Sequence, residues 1–141
     1  MSAMKTWAAM YGLIWLSVIQ ILVGLYSPFG EGLLTYGIHI PLGIAVFGLA
    51  YFIRGRVKAT ACPDRIKRIT KTTLNQSILQ GVLGAILAAG FSMGWDSLIL
   101  DVVILVHAAN GLAIITQASS SATAYDMWEE KEFQLAPPLQ A

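Results

Sequence analysis

Four long stretches of the chain are almost entirely apolar, and shorter polar segments separate them. They run over Trp7–Ser27, Leu34–Ile53, Leu74–Met93 and Leu98–Gln117. Each holds roughly the 20 residues that a helix needs to cross the hydrocarbon core of a bilayer. Apolar and polar residues do not alternate with a period of two, so the pattern favours helices over strands. It predicts an all-α membrane protein with four transmembrane helices.

The composition agrees with this prediction. Of the 141 residues, 56% are hydrophobic and 12% are charged, and the mean hydropathy is +0.65. A soluble domain carries roughly 25% charged residues. The sequence therefore predicts one four-helix transmembrane unit over residues 1–117 of an integral, multi-pass protein of the cell or inner membrane. Residues 118–141 are mostly polar and are predicted to form a flexible cytoplasmic tail.

The cations are concentrated in one part of the chain. Seven of the nine lysines and arginines lie from Arg54 to Lys71, in and beside a predicted loop over residues 55–73. The positive-inside rule places this loop in the cytoplasm, and with four spans both termini lie there too. The single cysteine, Cys62, belongs to the same loop. We interpret the cations as topology determinants that can also contact anionic lipid or a partner subunit; nucleic acid is not an expected partner.

A short polar pattern occurs twice in the apolar stretches and contains both histidines of the chain. Each copy reads Q-x-x-x-G on one predicted helix and H-x-x-x-G on the next. The eight residues, in chain order, are Gln20, Gly24, His39, Gly43, Gln80, Gly84, His107 and Gly111. The first and second hairpins are thus parallel repeats about a pseudo-two-fold axis along the membrane normal, and a left-handed four-helix bundle is the expected packing.

The spacing within the two copies is compatible with this arrangement. His39 follows Gly24 by 15 positions, and His107 follows Gly84 by 23. The difference amounts to about four extra residues on each arm of the second hairpin, or about one helical turn. Both histidines can therefore lie at one depth, nearer the outer face of the membrane, and face each other across the axis.

Two such histidines suit the axial ligation of one heme iron. A single intramembrane histidine is commonly a neutral ring bonded to a neighbouring group, but the duplication favours ligation. The four glycines would let the backbones approach a porphyrin closely; their alternative role is small-residue helix packing. The two glutamines either bond the histidine Nδ1–H groups or bond across helices, and Asn110 is another polar group of this kind. Tyr36, three residues before His39, is expected to reach a propionate.

The strings LQGVLGAILAAG and LVHAANGLAII resemble the third and fourth helices of the units of heme A synthase, which is a tandem of two four-helix bundles. The resemblance covers Trp7–Gln117 and implies a half-length relative with heme ligation at His39 and His107. The family typically has a glutamate three residues before the first of these histidines and an arginine just after it. This chain has Tyr36 and Ile40 there, and it lacks the family's outer cysteine pair. Without the catalytic carboxylate, the resemblance does not imply oxidation of a heme methyl group.

The expected function is that of a small b-type cytochrome, a heme b-binding subunit that transfers electrons in a membrane respiratory complex or stabilises it. Two imidazoles fill both axial positions of the iron, so no catalytic activity of its own is expected. The expected partners are other subunits of that complex or a second copy of the chain, lipid, and quinol as a candidate donor. Two alternatives stay open: a half-length heme A synthase-like enzyme acting as an oligomer, and a cofactor-free structural subunit of a membrane complex.

Overall fold

The computed structural model describes residues 5–26 and 37–135, the last three of these by their backbone only. These residues form four α-helices and no strand: α1 (Thr6–Tyr26), α2 (Ile40–Lys58), α3 (Asp64–Ser92) and α4 (Ser97–Leu135). All four are long and apolar enough to cross a membrane. The prediction of an all-α chain with four candidate spans is confirmed, and the chain has the make-up of a multi-pass integral membrane protein.

Each helix packs against two of the other three helices. Helix α1 packs against α2 and α4, and α3 packs against the same two helices. Within the described ranges, the backbones of α1 and α3 do not meet, and neither do those of α2 and α4. Because α2 and α4 carry the two histidines, any contact between the histidine rings has to be made by side chains that reach between two non-adjacent helices.

The buried apolar core lies toward one end of the structure. It joins Met10 near the start of α1, Val57 near the end of α2, Ile66 near the start of α3 and Tyr125 in the last third of α4. Met10 and Val57 are completely buried. The histidines belong to the opposite end, since His39 stands at the beginning of α2.

Helix α4 extends well beyond its predicted span. The sequence predicts a flexible tail from Ala118 onward, but residues 118–135 continue the helix, so this prediction is wrong for the described part of the tail. Ala118, Ala122 and Tyr125 are at most 4% exposed and belong to the core. The small residues of the segment ASSSATA allow close approach to the neighbouring helices. The Ser121 hydroxyl donates to the Ala118 carbonyl, so it adds no unpaired polar group to the interface.

The connection between α2 and α3 is also shorter than predicted. The sequence predicts a loop over residues 55–73, but only residues 59–63 separate the two helices. Ile66, Thr70 and Ser77 are buried along one face of early α3, with the spacing of an amphipathic helix. The Arg54 guanidinium donates to the Lys67 carbonyl at 3.2 Å. Most of the basic residues therefore lie on helices instead of in a loop.

The turn between α3 and α4 is fixed by local chemistry. Gly94 has a φ of +66°, a left-handed conformation that glycine adopts without strain. The Gly94 N–H donates to the Phe91 carbonyl and the Trp95 N–H to the Gly90 carbonyl, the two bonds of a Schellman motif. The Asp96 carboxylate then accepts the Leu98 N–H at 2.9 Å and caps α4.

Candidate functional site

The structure brings the two histidines together. His107 lies in the first third of α4, and His39 lies in a π turn over residues 37–39 that leads into α2. The ring centroids are 6.3 Å apart and the ring planes are inclined by 47°. The two rings thus meet between non-adjacent helices, in agreement with the prediction that they face each other. Short π-helical segments of this kind are frequent at functional sites.

Each histidine ring lies against the glycine of the preceding helix. A Cβ atom at Gly24 would lie 3.0 Å from Cε1 of His39, which is closer than an ordinary van der Waals contact. A Cβ atom at Gly84 would lie 3.6 Å from Cε1 of His107, which is an ordinary contact. The first glycine of each copy therefore leaves space for a ring, and that space is more restricted in the first copy.

The glutamines occupy the corresponding space at the second glycine of each copy. A Cβ atom at Gly43 would lie 3.2 Å from Nε2 of Gln20, and one at Gly111 would lie 3.5 Å from Nε2 of Gln80. The packing within each hairpin is thus reciprocal, with the histidine of the second helix on a glycine of the first and the glutamine of the first helix on a glycine of the second. This contact accounts for all eight residues of the repeated pattern.

The two glutamines bond differently from one another. The Gln20 amide donates to the backbone carbonyl of His39 at 2.9 Å, whereas the Gln80 amide nitrogen lies 3.0 Å from Nε2 of His107. Neither glutamine bonds Nδ1, the atom that the sequence analysis expects, and each bond joins one arm of its hairpin to the other. Both Nδ1 atoms are buried without a hydrogen-bond partner in the described part of the chain. The Cε1 edges of the rings face Gly24 and Gly84, which offer no side-chain acceptor.

Asn110 determines the orientation of the Gln80 amide. The Asn110 side chain donates to Oε1 of Gln80 at 2.7 Å and to the Gln76 carbonyl at 3.0 Å. With Oε1 accepting, the amide nitrogen of Gln80 is the donor to His107. Nε2 of His107 then accepts, and Nδ1 carries the ring proton, an assignment that follows from the hydrogen-bond network. Gln76 belongs to this network, although its sequence position gives no sign of it.

The first copy lacks this network. Leu42 stands three residues after His39, where the second copy has Asn110 three residues after His107. Oε1 of Gln20 is accordingly buried with no partner among the described residues. The two halves share their helix packing but not their polar bonding.

Apart from the two histidines, the described residues offer no further group of candidate metal ligands. Tyr36, the predicted propionate contact, lies outside the described residues. Within residues 5–26 and 37–135, no cluster of three or more histidine, cysteine or acidic side chains could hold a metal ion. Among the described residues, the histidine pair can therefore offer two ligands to a metal ion. Comparison with protein-family models, with characterised proteins and with solved structures finds no match for this chain.

Proposed function

We propose that the chain binds one heme b through His39 and His107 and acts as a b-type cytochrome subunit of a membrane electron-transfer complex. The observation that carries this proposal is the 6.3 Å separation between the two ring centroids. It brings together the only two histidines of the sequence, from two helices whose backbones are not in contact.

The separation suits two ligands on opposite sides of one metal ion. Metal–imidazole bonds are about 2 Å long, and the ring centroid lies about 1 Å beyond the bonded nitrogen, given ordinary bond lengths. Two imidazoles on opposite sides of one ion therefore have centroids about 6 Å apart. Two protein ligands do not complete the coordination of an iron ion; His39 and His107 would hold the iron of a heme, and the porphyrin would supply the other ligands.

The surroundings of the rings fit the same proposal. Gly24 and Gly84 lie on α1 and α3, beside the rings, and present no side chain to the space next to them. Nε2 of His107 is the unprotonated nitrogen and so has the lone pair that metal ligation requires. In the structure the Gln80 amide N–H donates to this lone pair, so that hydrogen bond would have to break before Nε2 could bind a metal ion. Nδ1 of His39 lies beside Gly24, and Nδ1 of His107 carries the ring proton in this arrangement.

Heme held by two imidazoles supplies single-electron transfer. The role of this chain is to fix the two rings at one separation, to exclude water and to present the site to partners. We propose that those partners are other subunits of a membrane respiratory complex, with quinol as a candidate donor. We also propose a topology with both termini and the basic segment Arg54–Lys71 on the cytoplasmic side, on the distribution of cations.

A second candidate is a structural subunit without a cofactor. It is favoured by the network in which Asn110 holds Gln80 and Gln80 holds His107, with distances of 2.7 and 3.0 Å. Such side-chain bonds join α3 to α4 without help from a ligand. In this case His107 serves as a hydrogen-bond acceptor between helices, and the repeat reflects helix packing.

Heme content per chain separates the two candidates. We would purify the full chain from heme-replete cells and measure heme as its pyridine adduct, beside the variants His39→Ala, His107→Ala and both together. Thr70→Ala is the matched control, because Thr70 is buried on α3 far from the rings. We expect one heme b per chain in the wild type and the control, and strong loss in each histidine variant. Absence of heme from the wild type, or unchanged heme in the double variant, would support the structural subunit instead.

A further inference from the structure

A cleft of about 510 Å³ opens at the end of the structure opposite to the histidines. It lies where α1 begins, where α2 ends and where the extended part of α4 passes both. None of the residues that line it belongs to the repeated pattern. Six of them bear on what the cleft can bind: Lys5, Thr6, Trp7, Arg56, Tyr125 and Glu129.

The described residues that line the cleft carry an excess of positive charge. Lys5 and Arg56 contribute two cations and Glu129 one anion. Within residues 5–26 and 37–132, no salt bridge joins Lys5, Arg56 or Glu129 to a partner. The Arg56 guanidinium lies 6.0 Å from the centre of the Phe52 ring, a contact that leaves its N–H groups available.

Two largely buried residues that carry hydroxyl groups line the same cleft. Thr6 is 7% exposed and Tyr125 is 4% exposed. Neither hydroxyl has a hydrogen-bond partner among the side chains and backbone groups that the structure describes. Neither oxygen is among the buried side-chain atoms that lack a partner in the described residues, so both are open to the cleft. Both hydroxyls can therefore donate to a ligand with hydrogen-bond acceptors in the cleft.

The start of α1 adds donors to the cleft. The ladder of α1 begins with the bond from the Ala9 N–H to the Lys5 carbonyl. The preceding N–H groups, those of Thr6, Trp7 and Ala8, have no acceptor within the helix. A helix of 21 residues directs the positive end of its dipole toward this point, where anions are stabilised. At the end of α2, the Arg56 carbonyl accepts the Ala59 N–H, and the Val57 carbonyl accepts both the hydroxyl and the backbone N–H of Thr60.

We infer that this cleft binds the phosphate group of an anionic phospholipid. Two cations, two hydroxyls that face the cleft and backbone N–H groups without an acceptor inside α1 match the acceptor oxygens and the charge of a phosphodiester. The cleft lies at the ends of spanning helices, where lipid headgroups are located, and Trp7 is an aromatic residue of the type enriched at that depth. The inference does not depend on heme and can fail or hold independently of it.

Lipid retention tests the inference. Purified protein in nanodiscs of phosphatidylcholine with a minor fraction of phosphatidylglycerol would be released into mild detergent, and the lipids that stay bound would be counted by native mass spectrometry. We expect selective retention of phosphatidylglycerol. Arg56→Gln and Lys5→Gln should each reduce it about fivefold, the effect of one cation near an anionic headgroup. Tyr125→Phe should reduce it as well, through the lost hydroxyl donor.

Lys58→Gln is the matched control. It removes the same charge two residues from Arg56, also from an exposed position, but Lys58 does not line the cleft. Equal losses in Lys58→Gln and Arg56→Gln, or no preference for phosphatidylglycerol, would overturn the inference. A second arm titrates inorganic phosphate into protein in pure phosphatidylcholine nanodiscs. Arg56-dependent binding of phosphate without retention of phosphatidylglycerol would overturn the lipid assignment and identify free phosphate as the ligand.

Discussion

Replacing Asn110 with leucine should selectively weaken the contact between α3 and α4. Leucine is the residue that the first copy of the repeat has at the equivalent position, Leu42. The change removes both bonds that the Asn110 side chain donates, to Oε1 of Gln80 and to the Gln76 carbonyl. Hydrogen bonds between transmembrane helices contribute on average about 0.6 kcal/mol and at most about 1.7 kcal/mol each. Asn110→Leu should therefore lower the free energy of unfolding by about 1–2 kcal/mol, and by at most about 3 kcal/mol.

The assay is reversible unfolding in mixed micelles with increasing dodecyl sulfate. Asn75→Leu is the matched control, because Asn75 is an exposed residue of α3 and such a substitution changes stability by no more than about 0.5 kcal/mol. A double-mutant cycle with Gln80→Leu isolates the bond of 2.7 Å, and we expect a coupling energy of about 0.6–1.7 kcal/mol. If Asn110→Leu behaves like Asn75→Leu, or if the coupling is indistinguishable from zero, Asn110 and Gln80 are not bonded to each other in the membrane.

Four other outcomes follow from the structure. Gly24→Ala should destabilise the protein more than Gly84→Ala in the same unfolding assay, because the added Cβ would lie 3.0 Å from a histidine ring in the first case and 3.6 Å in the second. Asp96→Ala should lower the free energy of unfolding by about 0.5–2 kcal/mol, because it removes the carboxylate that accepts the Leu98 N–H and caps α4. Unchanged stability would show that this cap does not stabilise α4. Cys62 is 2% exposed, so a maleimide should label it rapidly only after denaturation. In a Cys62→Ser background, a cysteine that replaces exposed Lys71 should be labelled from the cytoplasmic side alone. Labelling of this cysteine from outside intact cells would refute the topology. Expressed alone in a host that makes heme O but lacks its own synthase, the chain should yield no heme A, and accumulation of heme A would favour the enzyme alternative.

The sequence predicts the helices well because the requirement for about 20 apolar residues in a span is a strong and local constraint. It also brings His39 and His107 together, because the duplicated pattern implies equivalent positions in two hairpins. The continuation of α4 is missed because a run such as ASSSATA has weak helical preference by itself. Its helical state depends on burial of Ala118 and Ala122 against the other helices, and that packing is a property of the fold.

The hydrogen bonds of the two glutamines cannot be predicted from the repeated pattern, for a related reason. Gln20 and Gln80 occupy equivalent positions, yet one bonds a backbone carbonyl and the other bonds a ring nitrogen. The difference coincides with a single neighbour, Asn110 in one copy and Leu42 in the other. The helical state of early α3 does leave a trace in the sequence, since its buried residues recur with helical spacing. The cleft leaves none, because the residues that line it are far apart along the chain.

The spin state of the bound heme is the sharpest test of ligation by His39 and His107. We would record reduced-minus-oxidised absorption spectra and low-temperature paramagnetic resonance of the wild type, His39→Ala and His107→Ala. Ligation by both rings predicts a low-spin, six-coordinate heme b in the wild type and loss of that signal, or its conversion to high spin, in each variant. A wild-type protein from heme-replete cells without a heme band, or a low-spin spectrum that persists unchanged in both variants, would show that the two rings do not hold a heme.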